Sequence, residues 1–107
     1  MATAQKSQVL KLADLAAYQE GSVVSRQIVK ADAGNVTLFA FDADQELSEH
    51  TAPYDALVHI LDGEAEVRLD GVPHALSAGD AIVMPANIPH ALRAVKQFKM
   101  LLTMIRQ

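Results

Sequence analysis

Four histidines carry most of the potential chemistry in a 107-residue chain without cysteine. They are His50, His59, His74 and His90. Imidazole is the side chain that changes charge nearest neutral pH and the commonest metal ligand, so a converging pair points to acid–base work, metal binding or a polar ligand contact. His90 has the most constrained setting. It follows Pro85-Ala86-Asn87-Ile88-Pro89, in which each proline fixes φ and removes a donor while asparagine tolerates the left-handed conformation. Such a loop aims whatever follows it. His50 closes the stretch Leu47 to His50, just before a Thr51-Ala52-Pro53 turn.

The elements that must hold these residues read as strands. Gly79-Asp80 turns into Ala81 to Met84, an apolar run of strand length. Val23 to Val29, Val36 to Phe41, Asp55 to Leu61, Glu64 to Leu69, Val72 to Leu76, Ala91 to Val95 and Phe98 to Ile105 follow the same logic, with a shorter strand at Leu47 to His50. Glu64 to Leu69 alternates, with Ala65, Val67 and Leu69 inward. Asp70-Gly71 is a hairpin signal and Asp62-Gly63 a turn or sheet-changing bend. One short helical turn is expected at Leu15 to Glu20, capped by Asp14 and closed by Gly21. Short strands with close turns predict an all-β sandwich or barrel with side chains alternating in and out.

Residues 1–107 make one domain, with 1–7 expected as a loose arm and the barrel core at about 23–105. The net charge of −4, without a basic cluster, argues against nucleic acid or an anionic membrane as partner. No run approaches the ~20 apolar residues of a membrane-spanning helix. The polar start lacks the apolar segment of a signal peptide, and absent cysteine agrees with a cytoplasmic setting. No phosphate loop, catalytic triad or nucleotide fingerprint is visible, and no serine has a nucleophile's surroundings. Met84, Met100 and Met104 read as core filler.

Gly79, Pro85 and His90 fall at the spacings of the second motif of the cupin superfamily, with Asn87 at its second glycine and Ala94 at its final asparagine. In the first motif His50 and Gly63 match, while Asp44, Ala52 and Ala56 replace a glycine, a histidine and a glutamate. Over roughly Val36 to Leu102 the chain thus resembles a small single-domain cupin of the conserved-barrel, RmlC-like type. That resemblance implies a double-stranded β-helix, or jelly-roll barrel. It also implies a divalent transition metal held by histidines and a carboxylate, of which only His50 and His90 carry over.

The expected site lies in the barrel interior. His50 and His90 face each other there, His74 shares the face of Val67, and Val58 and Val67 give an apolar lining. His74 is the candidate third metal ligand, and equally a histidine bonded to backbone. Asp55 and His59 point away by alternation, Asp55 as a solvated turn carboxylate, and Glu49 reads as surface. The favoured reading is a barrel that binds a small organic ligand and holds a divalent metal weakly. The alternatives are a metal-dependent dioxygenase, isomerase or decarboxylase, and a structural or regulatory module. Strands apolar on both faces, Leu57 and Leu61 against Val58 and Ile60, and Phe98 to Ile105, predict a homodimer with sheets packed back to back.

Overall fold

A computed structural model describes residues 6–106. Among the described residues there are seven antiparallel strands: β1 (Val23–Ala31), β2 (Gly34–Phe41), β3 (Glu46–His50), β4 (Tyr54–Leu69), β5 (Val72–Ser77), β6 (Ala81–Met84) and β7 (His90–Arg106). Two expected strand pairs are each one long strand. Asp55 to Leu61 and Glu64 to Leu69 fuse into β4, and Ala91 to Val95 and Phe98 to Ile105 into β7. The Asp62-Gly63 signal is therefore a bend within a strand, not a turn between strands.

β4 and β7 pair from Tyr54↔Arg106 to Leu69↔His90, with register irregularities at Ile60/Asp62 and Gly63/Ala65. Bulges add local bend and twist, and here they fold the ribbon over. On one side of the bend, β2 and β1 extend the sheet from β7, and β6 flanks β4. On the other side, β3 flanks β7 and β5 flanks β4. One continuous sheet thus supplies both layers of the barrel, in agreement with the jelly-roll expected from the sequence.

The layers meet through one apolar core. Val58, Ile60, Met100, Phe41 and Phe98 from the first half pack with Ala65, Val67, Leu92 and Ala94 from the second. The Phe41 and Phe98 rings stack with centroids 4.4 Å apart beside the bend. Each fully buried valine, isoleucine, phenylalanine or methionine of this core contributes about 1.5–3 kcal/mol.

A second, smaller core lies on the outer face of the first half. Ile28, Leu38 and Ala40 are covered there by Leu10, Leu15, Ala16 and Tyr18 of the N-terminal segment, with Leu61 and Leu101 alongside. The segment is fastened to the bend: the Tyr18 hydroxyl donates to Asp62 Oδ2 at 2.5 Å, and the Lys99 ammonium donates to the Ala13 carbonyl and lies over the Tyr18 ring. This role reshapes the expected helix. Only a 3-10 turn forms, at Leu12–Asp14, and no side chain caps it. Leu15 and Ala16, which a helix over Leu15 to Glu20 would have carried, lie down on the sheet instead. Of the expected loose arm, residues 1–5 lie outside the described residues, and Lys6 and Ser7 form a turn. No helix among the described residues is long and apolar enough to cross a membrane.

Candidate functional site

The loop before His90 is pinned on three sides. The Ala86 N–H donates to Asp55 Oδ1 at 2.9 Å, the Asn87 N–H to the Ala52 carbonyl at 2.8 Å, and the Asp70 N–H to the Pro89 carbonyl at 2.8 Å. Asn87 takes the left-handed conformation, with φ of 63°. The prolines leave the loop few donors, and the ones that remain tie it to the turn before β4 and to the β4–β5 hairpin. Asp55 is therefore a half-buried brace, not the solvated carboxylate that alternation suggested. Its signal in the sequence, an acid thirty-one residues ahead of the loop it holds, is visible only in three dimensions.

Braced in this way, His90 opens β7 and sits opposite His50 as its register partner on β3. The two histidines do not face one another across the barrel. They stand side by side on adjacent strands, because a register irregularity between Leu47 and His50 turns His50 onto the inner face beside His90. His90 is buried and His50 is exposed at the rim. Their rings meet edge to face with centroids 4.3 Å apart, and their Nε2 atoms are 3.1 Å apart.

The remaining ring nitrogens determine what lies between. His50 Nδ1–H donates to the Ser48 carbonyl at 2.7 Å and His90 Nδ1–H to the Ile88 carbonyl at 3.1 Å. A carbonyl only accepts, so each Nδ1 carries a proton, and in a neutral ring Nε2 is then a lone pair. Two lone pairs at this separation need a positive centre between them: one proton, which makes an imidazolium–imidazole pair, or a metal cation. Burial, with a smaller contribution from His50, pushes the His90 imidazole below its ordinary value, against the opposing pull of the Ile88 carbonyl.

Carbonyl-tied imidazoles are the usual form of metal-ligating histidines. A catalytic centre takes three protein ligands or more, and among the described residues no group of three histidine, aspartate, glutamate or cysteine side chains could hold an ion. The donor set therefore does not fit a resident metal centre of the usual kind. His74 is half-buried on the face of Val67, its register partner, and is not gathered with the other two histidines into such a group. Val58 and Val67 have no accessible surface. The stacked phenylalanines and Met100 fill the space beside them, so they belong to the packed core and line no open pocket. The partly accessible apolar residues packed against this core are Val23, Phe39, Leu47, Leu69, Ile82, Leu102 and Met104. Sequence reasoning did not assign them to the site, although alternation from Val58 and Val67 places most of them inward.

A groove of about 430 Å³ lies on the outer face of β3, β7 and β4, lined by Glu46, Glu66, Arg68 and Arg93 with Ala91 between them. Its arginines are spent on Glu66, at 3.6 Å from Arg68 and 3.4 Å from Arg93. Neither His50 nor His90 lines it. Glu49 lines this groove as well, and among the described residues neither it nor His59 joins the pair in a group of three that could hold an ion.

Comparison with known proteins places this architecture. The cupin domain family matches residues 37–106. A conserved protein of unknown function from Streptococcus pyogenes is similar at 36% identity over 100% of this chain and 96% of its own, with a TM-score of 0.91. A cupin superfamily protein from Desulfitobacterium hafniense is similar at 29% identity over 99% and 97% of the two chains, also with a TM-score of 0.91. Protein SchB of Streptomyces halstedii is 38% identical over 50 residues, which is 46% of this chain and 36% of that protein, so the matched stretch spans about a third of its length. With the family's domain found over most of the sequence and the same barrel shared along the whole chain, this protein belongs to the cupin family.

Proposed function

We propose that this cupin binds a small organic ligand at the mouth of its barrel, anchored at the polar end by His50 and His90. The observation that carries the reading is the pair of Nε2 atoms 3.1 Å apart with both Nδ1 protons already committed. A partly accessible apolar wall, including Leu102 and Met104, supplies a seat for a ligand with a hydrophobic body. The same pair supports a divalent cation held weakly, with water or the ligand completing its shell, since two imidazoles alone leave most coordination positions open. The metal-dependent enzyme reading needs a third protein ligand and is the less favoured for that reason.

Zn²⁺ titration, followed by ¹⁵N and imidazole ¹H NMR, tests the reading. Wild-type protein should bind with weak affinity, with shifts centred on His50 and His90. His50→Ala and His90→Ala should each weaken binding at least about tenfold. A small carboxylate library screened with and without Zn²⁺ should shift the amides of Leu102 and Met104. Binding that survives both alanine substitutions, or a silent inner face throughout the screen, overturns the assignment.

A further inference from the structure

The open end of the barrel carries a second polar group, on β1 and β2, that the histidine pair does not account for. Register partners share a face of the sheet. Thr37 pairs with Leu102 and Asn35 with Met104, and both partners pack against the inner core, so Thr37 and Asn35 lie on the inner face. Gln27 pairs with Thr37 and Lys30 with Asn35, which puts all four on that face. Plain alternation from Gln27 would turn Lys30 outward. An irregularity between Gln27 and Val29 adds one residue there. Ile28 is buried in the outer core, Val29 pairs with the outward Val36, and Lys30 comes round to the inner side. The same device turns His50 inward on β3.

The fold brings the two polar groups opposite each other. β2 and β3 both flank β7 on the side away from β4, one on each side of the bend, so folding the ribbon lays β3 over β2. His90 lies eight residues before Phe98 at the bend and Met104 six after it. The row His50–His90 and the row Lys30–Asn35–Met104 therefore occupy the same end of the barrel, on layers about 10 Å apart. Asn35 is already oriented: the Thr37 hydroxyl donates to its Oδ1 at 3.3 Å, and its amide N–H groups have no acceptor among the described residues. Lys30 is exposed at the rim, and its ammonium forms no ion pair among the described residues.

We propose that Lys30 and Asn35 are the second anchor of the ligand and select a carboxylate; this rests on the reading of His50 and His90 as the first anchor. An ammonium and a carboxamide N–H offer the ligand only donors, one of them charged, which favours an anionic oxygen over an ester or ether. Leu102 and Met104, next to Thr37 and Asn35, take an aliphatic body. The ligand class is a short aliphatic acid with a second oxygen function at its other end. The carboxylate sits on Lys30 and Asn35, and the other oxygen meets the histidine pair or a cation held by it.

Levulinate, a four-carbon chain's span between carboxylate and ketone, and its neutral methyl ester test the assignment by ¹⁵N NMR titration with and without Zn²⁺. Wild-type protein should bind the acid at least about tenfold more tightly than the ester, with shifts at Lys30, Asn35 and His90. Lys30→Gln and Asn35→Ala should each remove most of that preference, and Lys30→Arg should keep it. None of the three should alter Zn²⁺ affinity or circular dichroism. Equal binding of acid and ester, or a preference that survives both Lys30→Gln and Asn35→Ala, overturns the proposal. Zn²⁺ binding at His50 and His90 with neither levulinate form bound overturns this second anchor alone. Loss of Zn²⁺ and levulinate binding together overturns the histidine anchor with it.

Discussion

His90, one half of the proposed ligand anchor, also bears on stability. Burial favours its neutral form, so its folded-state proton affinity is lowered relative to the unfolded chain. The sign follows directly. Its contribution is fully present above the ordinary imidazole value of about 6.5 and is lost as pH falls below that toward the lowered folded value, because protonation then favours the unfolded chain. The melting temperature should therefore fall between about pH 7 and pH 5, and His90→Gln should flatten this part of the profile. An unchanged slope in the variant would locate the dependence in another group. Pro85, Asn87 and Pro89 made His90 legible in the sequence, while His50 was legible only through the spacing it shares with Gly63 in the first cupin motif. The sequence did not reveal that they are neighbours, because the irregularity between Leu47 and His50 that turns one toward the other has no residue signature. It also overstated Val58 and Val67: alternation identifies an inward side chain but not whether the space in front of it is already filled.

At the scale of elements, the glycines separate two kinds of bend. Gly63 lies at φ +81°, opposite Phe98 in the β4–β7 ladder, and a Cβ there would overlap the Gln97 carbonyl oxygen. Gly71 has nearly the same φ, +80°, in the β4–β5 hairpin, with open space around it. Gly71→Ala should cost only the left-handed conformation, about 1–2 kcal/mol. Gly63→Ala adds a backbone collision at the fold line and should cost at least about 3 kcal/mol. Urea unfolding of the two variants gives the comparison, and equal midpoints would mean that the bend relaxes freely. The hairpin was readable because Asp70-Gly71 supplies positive φ at both turn positions, 51° and 80°. The fused strands were not. A bulge keeps the ladder running through residues that local rules assign to a turn.

The whole molecule is a barrel with an internal core and an external one, the latter roofed by the N-terminal segment. Tyr18 and Lys99 fasten that roof at the bend, and burial, reinforced by the hydrogen bond to and charge of the Asp62 carboxylate, pushes the phenol well above its ordinary range. Tyr18→Phe removes the bond to Asp62 and should cost about 1 kcal/mol, with faster amide exchange confined to Ile28, Leu38, Ala40 and Leu101. Exchange that rises equally around Val67 would show that the two cores unfold as one. The fold class and the two-faced strands were both evident from sequence. What covers the outer face was not, because Leu10, Leu15 and Ala16 show no period that marks them as a lid.

The long pairing of β4 with β7 also sets the order in which the molecule can be made. β7 is the shared neighbour of β2, β3 and β4, so neither half of the barrel has its central ribbon until residues 90–106 are in place. Before then the chain can form little beyond the β1–β2 and β4–β5 hairpins and the β4–β6 pair, each with bare edges. Non-local pairings of this kind put folding in roughly the millisecond-to-second range. During synthesis, the segments that later form the core remain available to chaperones and to one another until β7 arrives.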